Sequence, residues 1–149
     1  MIGHDVFFQT GRHSKIKVGS HVSLNTGCHV IASQEIEIGD NVAIGEYVSI
    51  RDQEHNFTPA SGVRGQGFRT ARIEIGDNVW IGRGVYIGPG TSIGEGSIIA
   101  ANSVVSGVFP PNALVAGAPA TIRRRILPSG RTEPWSNSPN EAMQSVSAE

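Results

Sequence analysis

The sequence predicts an all-β fold, a parallel β-helix of stacked six-residue rungs, and three observations predict it. The first is internal repetition: residues 36–50, IEIGDNVAIGEYVSI, and residues 73–87, IEIGDNVWIGRGVYI, agree at eleven of fifteen positions. The second is a period of six. Aliphatics stand at Val18, Leu24, Val30, Ile38, Ile44, Ile50, Ile75, Ile81, Ile87, Ile93, Ile99 and Val105, and glycine follows seven of these twelve directly. The third is a turn former on the same period. A small or β-branched residue recurs at Val22, Cys28, Val42, Val48, Val79, Val85, Thr91, Ser97 and Ser103, with Gly or Asn just before it in seven of nine cases. Gly and Asn tolerate positive φ, so a corner recurs with each rung.

Each rung thus offers two inward side chains and a turn, which describes a short strand and a corner. Three such sides would close into a triangular coil of about eighteen residues. Period six with 19 glycines fits neither the spacing nor the propensities of an α-helix. An antiparallel meander would need longer, strictly alternating strands. Stacked coils instead set identical positions above one another and bury a continuous aliphatic column.

Along the chain, His4 and His13 precede the repeats, and His21 and His29 fall at or beside corners facing solvent. Between Ile50 and Ile75 the repeat is interrupted by a segment rich in Gly, Arg and turn formers, read as a loop over about 51–72. A regular scaffold broken by one loop tends to carry function on that loop. After Val105 the hexads stop, and Pro110, Pro111 and Pro119 impose extended or turn geometry. The division expected is a β-helix domain over 1–126 and a polar tail over 127–149, disordered or irregularly docked, with Trp135 incidental in it.

Composition narrows the function. Twelve Lys+Arg against 13 Asp+Glu give a net charge of −1, without the basic excess of a nucleic-acid binder. The single Cys28 cannot form an internal disulfide. No apolar run approaches the roughly 18 residues of a membrane span, and no signal peptide is apparent. The expectation is a soluble, cytoplasmic domain with neither nucleic acid nor membrane as partner.

The run from Ile75 to Ile126 resembles the hexapeptide-repeat acyltransferases of left-handed parallel β-helix fold. It looks most like their galactoside and maltose O-acetyltransferase group and related polysaccharide-biosynthesis O-acetyltransferases. The likeness covers about residues 15 to 126. It is carried by the hexads together with Asp52-x-x-His55 entering the loop, VWIG after it, and the PPN…AGAPA…R ending.

The resemblance implies transfer of an acetyl group from acetyl-CoA to a hydroxyl of a saccharide or sugar-containing acceptor, by direct attack. His55 matches the family's catalytic histidine, and an imidazole suits removal of the hydroxyl proton. Asp52 is placed with Asn25 at the acceptor, and it either orients that ring or caps the local turn. Asn25 matches an acceptor-contacting asparagine, though Asn also suits a corner. The acidic acceptor ligand of the sugar enzymes is replaced here by Ser33.

For coenzyme A the resemblance carries over Trp80, Ala101, Ser106 and Arg124. Trp80 borders the pantetheine channel or covers an exposed side. Arg123, Arg124 and Arg125 either meet the phosphates or form a solvated end. No H-x₄-H pair is present, so no metal is expected. The family forms trimers with sites between subunits, and a homotrimer is expected. Two alternatives stay open: acetyl transfer to an amine of an amino sugar or xenobiotic, and a non-catalytic β-helix scaffold.

Overall fold

The computed structural model describes residues 1–136, and all regular elements among them are β-strands. Successive strands pass to three parallel sheets in rotation, so the chain winds as a β-helix of hexapeptide rungs. The first face carries Ser23–Leu24, Ala43–Ile44, Trp80–Ile81, Ile98–Ile99 and Ala113–Gly117. The second carries Phe7–Thr10, His29–Ala32, Ser49–Arg51, Tyr86–Ile87 and Val104–Val105. The third carries Lys15–Val18, Glu35–Ile38, Ile73–Ile75, Ser92–Ile93 and Val108–Phe109.

Register follows the hexads. Ile75 pairs with Ile93, Ile81 with Ile99 and Ile87 with Val105, each one coil further on. All nine small or β-branched positions are buried, and so are the aliphatic positions except Val18 in the first coil. The corner residues before the buried small position take positive φ at Gly27, Asn41, Asn78, Gly84, Gly90, Gly96 and Asn102. His21 and Tyr47, which fill that place in the other two hexads, adopt it as well, at 56° and 58°. Stacking therefore dictates the backbone even where the residue tolerates it poorly.

Corners are tied between coils by side chains. Asp40 accepts the Ser20 amide at 2.6 Å, Asp77 accepts the Asp40 amide at 2.7 Å, and Asn41 donates to Asn78 at 2.7 Å. Toward the C-terminal end the inner small position changes from Val to Thr91, Ser97 and Ser103, all buried. Each hydroxyl finds a backbone partner: Thr91 donates to Gly88 at 2.7 Å, Ser97 to Pro110 at 3.2 Å, and Ser103 to Ala100 at 2.7 Å.

Within the expected 1–126 domain the winding extends beyond the recognisable hexads at both ends. Ile2 bridges to Leu24, and Phe7–Thr10 pairs with His29–Ala32, so a coil precedes the first recognisable hexad. Its aromatics Phe7 and Phe8 lie on the open end, half exposed, which is why no burial period marks them. After Val105 the winding continues through Val108–Phe109 and Ala113–Gly117 despite the prolines.

At the end of the expected 1–126 domain, Ala120–Ile126 turns back antiparallel on Ala113–Gly117. Within the expected tail, Thr132–Pro134 adds a further antiparallel strand. Trp135 packs against the core with the Arg125 guanidinium 5.2 Å from its ring centre, so it is not incidental. Residues 137–149 lie outside the described region.

Candidate active site

The interruption of the helix is a hairpin rather than a structureless loop. Gln53–His55 pairs antiparallel with Phe68–Thr70, placing His55 opposite Phe68. Its base is pinned where it leaves the second face, because the Ala71 amide donates to the Asp52 carbonyl at 3.0 Å. Higher up, the Asn56 amide donates to Gly67 at 3.1 Å and its side chain to Gln66 at 3.0 Å. Arg69 closes an ion pair on Glu54 across the hairpin. These bonds hold a short two-stranded ribbon that would be marginal alone.

His55 is exposed, and its ring centre lies 4.3 Å from that of Phe68, tilted by 38°. Phe68 is 52% exposed and forms one wall of the imidazole's surroundings. The ring borders two open concavities. One is formed with Val63, Arg64, Gly65, Gly67 and Phe68 under the hairpin tip, and the other with Arg51, Gln53, Glu54, Phe68 and Tyr86 at the second face. Burial pushes the Tyr86 phenol up, helped by nearby Glu54 and opposed by Arg51 and Arg69.

Asp52 does not meet the expectation of an acceptor contact, nor does it orient the imidazole. Its side chain is fully buried, and its two oxygens accept the amides of Ser33 at 2.6 Å and Gln34 at 2.7 Å in the coil before. Asp52 sits at the bend between Ser49–Arg51 and Gln53–His55, where the chain leaves the second face, so its side chain turns into the coil while exposed His55 stands on the hairpin. Neither role open from the sequence is present as stated: the carboxylate caps the bend at Ser33–Gln34 in the preceding coil and not a turn of its own segment.

Asn25, Trp80 and Ala101 come together. They line one cleft of about 570 Å³ on the first face with Gly45, Glu46, Gly82, Arg83 and residues 98–100. Asn25 donates to Glu46 at 3.3 Å, and Trp80 stands 58% exposed over Ile98 in the neighbouring coil. His55 does not line this cleft. Ser106 stands exposed at the corner between Val104–Val105 and Val108–Phe109, outside it. Arg124 is turned to the added strand, donating to the Thr132 hydroxyl at 2.7 Å and the Thr132 carbonyl at 3.1 Å. Arg123 donates to Ala116 at 3.2 Å and Arg125 to Ser136 at 3.1 Å, so the three arginines join Ala120–Ile126 to the strand before it and to residues 132–136.

Sequence reasoning passed over Arg51, Glu46, Arg83, Phe68 and Tyr86. A signal for three of them lay in the two repeat copies, which differ at only four aligned pairs: Ala43/Trp80, Glu46/Arg83, Tyr47/Gly84 and Ser49/Tyr86. Trp80, Glu46, Arg83 and Tyr86 all line the clefts just described. The inward positions match between the copies; Tyr47/Gly84 is a corner, and the other three pairs face outward at these clefts.

Comparison with known proteins agrees with this architecture. Residues 72–107 match the family model described as bacterial transferase hexapeptide (six repeats). Nodulation protein L of Rhizobium meliloti (strain 1021) is 41% identical over 109 residues, covering 72% of this chain and 58% of that protein. The chain thus spans little more than half the length of this curated relative. A solved galactoside acetyltransferase in complex with coenzyme A superposes with a TM-score of 0.75 at 31% identity, over 91% of this chain and 70% of that one. A hexapeptide-repeat-containing acetyltransferase of Vibrio cholerae O1 biovar eltor, complexed with acetyl-coenzyme A, gives 0.71 at 34% identity, over 84% and 70%. The chain belongs to the hexapeptide-repeat acyltransferase family.

Proposed function

We propose that this protein moves an acetyl group from acetyl-CoA to a hydroxyl of a saccharide or sugar-containing acceptor, with His55 as the general base. One observation carries the reading: an exposed imidazole, backed by Phe68 on a pinned hairpin, stands at the lip of two concavities. The similarity to acetyltransferases solved with coenzyme A and acetyl-coenzyme A supports the donor.

In the step proposed, a ring nitrogen of His55 takes the acceptor's hydroxyl proton as its oxygen attacks the thioester carbonyl carbon. The tetrahedral intermediate then expels the coenzyme's sulfur, which recovers the proton from the imidazolium, and the acetyl ester leaves. No acyl-enzyme is required.

For the donor, the cleft at Trp80 offers a pantetheine arm an apolar wall of Trp80, Ile98 and Ala100–Ala101. Arg83 is the cation at its edge. Because this cleft and the His55 concavities are formed by different faces, the reading includes a homotrimer in which one copy's hairpin meets its neighbour's cleft. Acetyl-CoA as donor makes the cytoplasm the proposed location.

The test is thiol release from acetyl-CoA with a panel of sugars. Wild type should release thiol in an acceptor-dependent way, and His55→Ala should lose roughly 10²-fold or more in kcat. A scaffold would show no acceptor-dependent release in either form.

A further inference from the structure

We infer that Arg51 reads a negatively charged group on the acceptor, so that the preferred acceptors are anionic sugars carrying a carboxylate or phosphate. The inference rests on the transfer reading above and narrows its substrate class.

Arg51 lines the second-face concavity with Gln53, Glu54, His55, Phe68 and Tyr86. It is half-buried, and its Nε donates to the Ser49 hydroxyl at 3.0 Å, which fixes the plane of the guanidinium. Among the described residues no carboxylate lies within ion-pair distance of it, and no hydrogen bond engages its two terminal amino groups. The one acidic side chain in the concavity, Glu54, is already neutralised by Arg69. The uncompensated charge beside the imidazole is therefore positive.

The neighbouring concavity repeats the sign. Arg64 is the one Lys, Arg, Asp or Glu in its lining, and it also has no ion pair among the described residues. A half-buried guanidinium keeps its full charge and offers a planar fork of donors that matches carboxylate and phosphate oxygens. Ser49 is also one of the places where the repeat copies diverge, the second copy having Tyr86 there, and both residues belong to this corner.

The experiment compares 4-nitrophenyl β-glucuronide, 4-nitrophenyl β-glucoside and glucose 6-phosphate as acceptors, using the full chain and acetyl-CoA, for wild type, Arg51→Gln and Arg51→Lys. Wild type should favour an anionic acceptor over the matched neutral one by tenfold or more in kcat/KM. Arg51→Gln should bring that ratio to within about threefold of unity, and Arg51→Lys should restore part of it. Glucuronide against phosphate distinguishes which anion is read. A neutral acceptor preferred by wild type, or a ratio unmoved by Arg51→Gln, overturns the inference while leaving acetyl transfer standing. So does an Arg51→Gln effect confined to the KM for acetyl-CoA, which would give the arginine to the coenzyme. Absence of transfer to every acceptor overturns both readings.

Discussion

Asp52 reaches back one coil to hold the amide of Ser33 at 2.6 Å, and with its other oxygen that of Gln34 at 2.7 Å. This buried clamp sits at the root of the hairpin whose first strand carries His55. Removing the carboxylate strands two amides, and charge-assisted bonds of this kind contribute about 1.5–3 kcal/mol each. Asp52→Ala is expected to lower unfolding stability by about 3 kcal/mol in urea titrations and to reduce turnover through the displaced hairpin. Had Asp52 served the imidazole, Asp52→Asn would cut kcat at unchanged stability.

Ser97 occupies the small inner position that is Val42 and Val79 in earlier coils, yet valine should not be accepted there. The Ala113 amide, itself buried, donates to the Ser97 hydroxyl at 3.1 Å. Ser97→Val leaves that amide without a partner and is expected to cost about 1–3 kcal/mol. Thermal denaturation checks it, and a rise in Tm would show that apolar filling outweighs the lost bond.

Gly82 shows why glycine follows the aliphatic. A Cβ there would stand 2.7 Å from the Ala101 amide nitrogen and 2.9 Å from its Cα, both backbone atoms of the next coil. Gly82→Ala is expected to destabilise by about 1–3 kcal/mol through overpacking and to widen the cleft beside Trp80. Gly65, at φ +68° with open space around it, is a different case. There alanine meets only the left-handed backbone penalty of about 1–2 kcal/mol, and partial relief by loop adjustment should make it the milder change.

Cys28 links stability to pH. Its thiol lies in the core and donates to the Gly45 carbonyl at 3.0 Å, and burial pushes its pKa above the ordinary thiol value. A folded-state pKa above the unfolded one means the folded chain keeps its proton longer. The stability so gained is whole below the unfolded thiol pKa and is lost as pH rises through the folded one. Wild-type Tm should therefore fall more steeply than that of Cys28→Val above pH about 8.5. At pH 7 the two should differ little, since valine fills the equivalent place at Val42, Val48, Val79 and Val85. Parallel Tm curves across that range would contradict this account.

The scaffold was legible because stacking imposes one rule on every coil. An aliphatic inward, a glycine where backbones touch and a positive-φ corner appear at fixed intervals, and Ile81, Gly82 and Asn78 behave alike wherever the rule recurs. The ends were not legible, because end coils have a neighbour on one side only. Phe7 and Phe8 sit on an open end, and Thr132–Pro134 joins by antiparallel pairing that no hexad announces. At the candidate site the histidine-bearing segment could be anticipated, but not that Asn25, expected at the acceptor, shares a cleft with Trp80 and Ala101, expected at the coenzyme. The capping role of Asp52 and the inward ties of Arg123–Arg125 depend on which way side chains point, and one-dimensional spacing does not give that for irregular backbone.

The most direct measurement is a crystal structure of the full chain with coenzyme A bound. The account predicts the coenzyme's sulfur between the Trp80–Ala101 cleft of one copy and the hairpin of another, with the His55 imidazole within about 3–4 Å of it or one water away. Coenzyme seated elsewhere, or a thiol more than about 10 Å from every His55 ring, would exceed any proton-transfer reach and contradict His55 as the base.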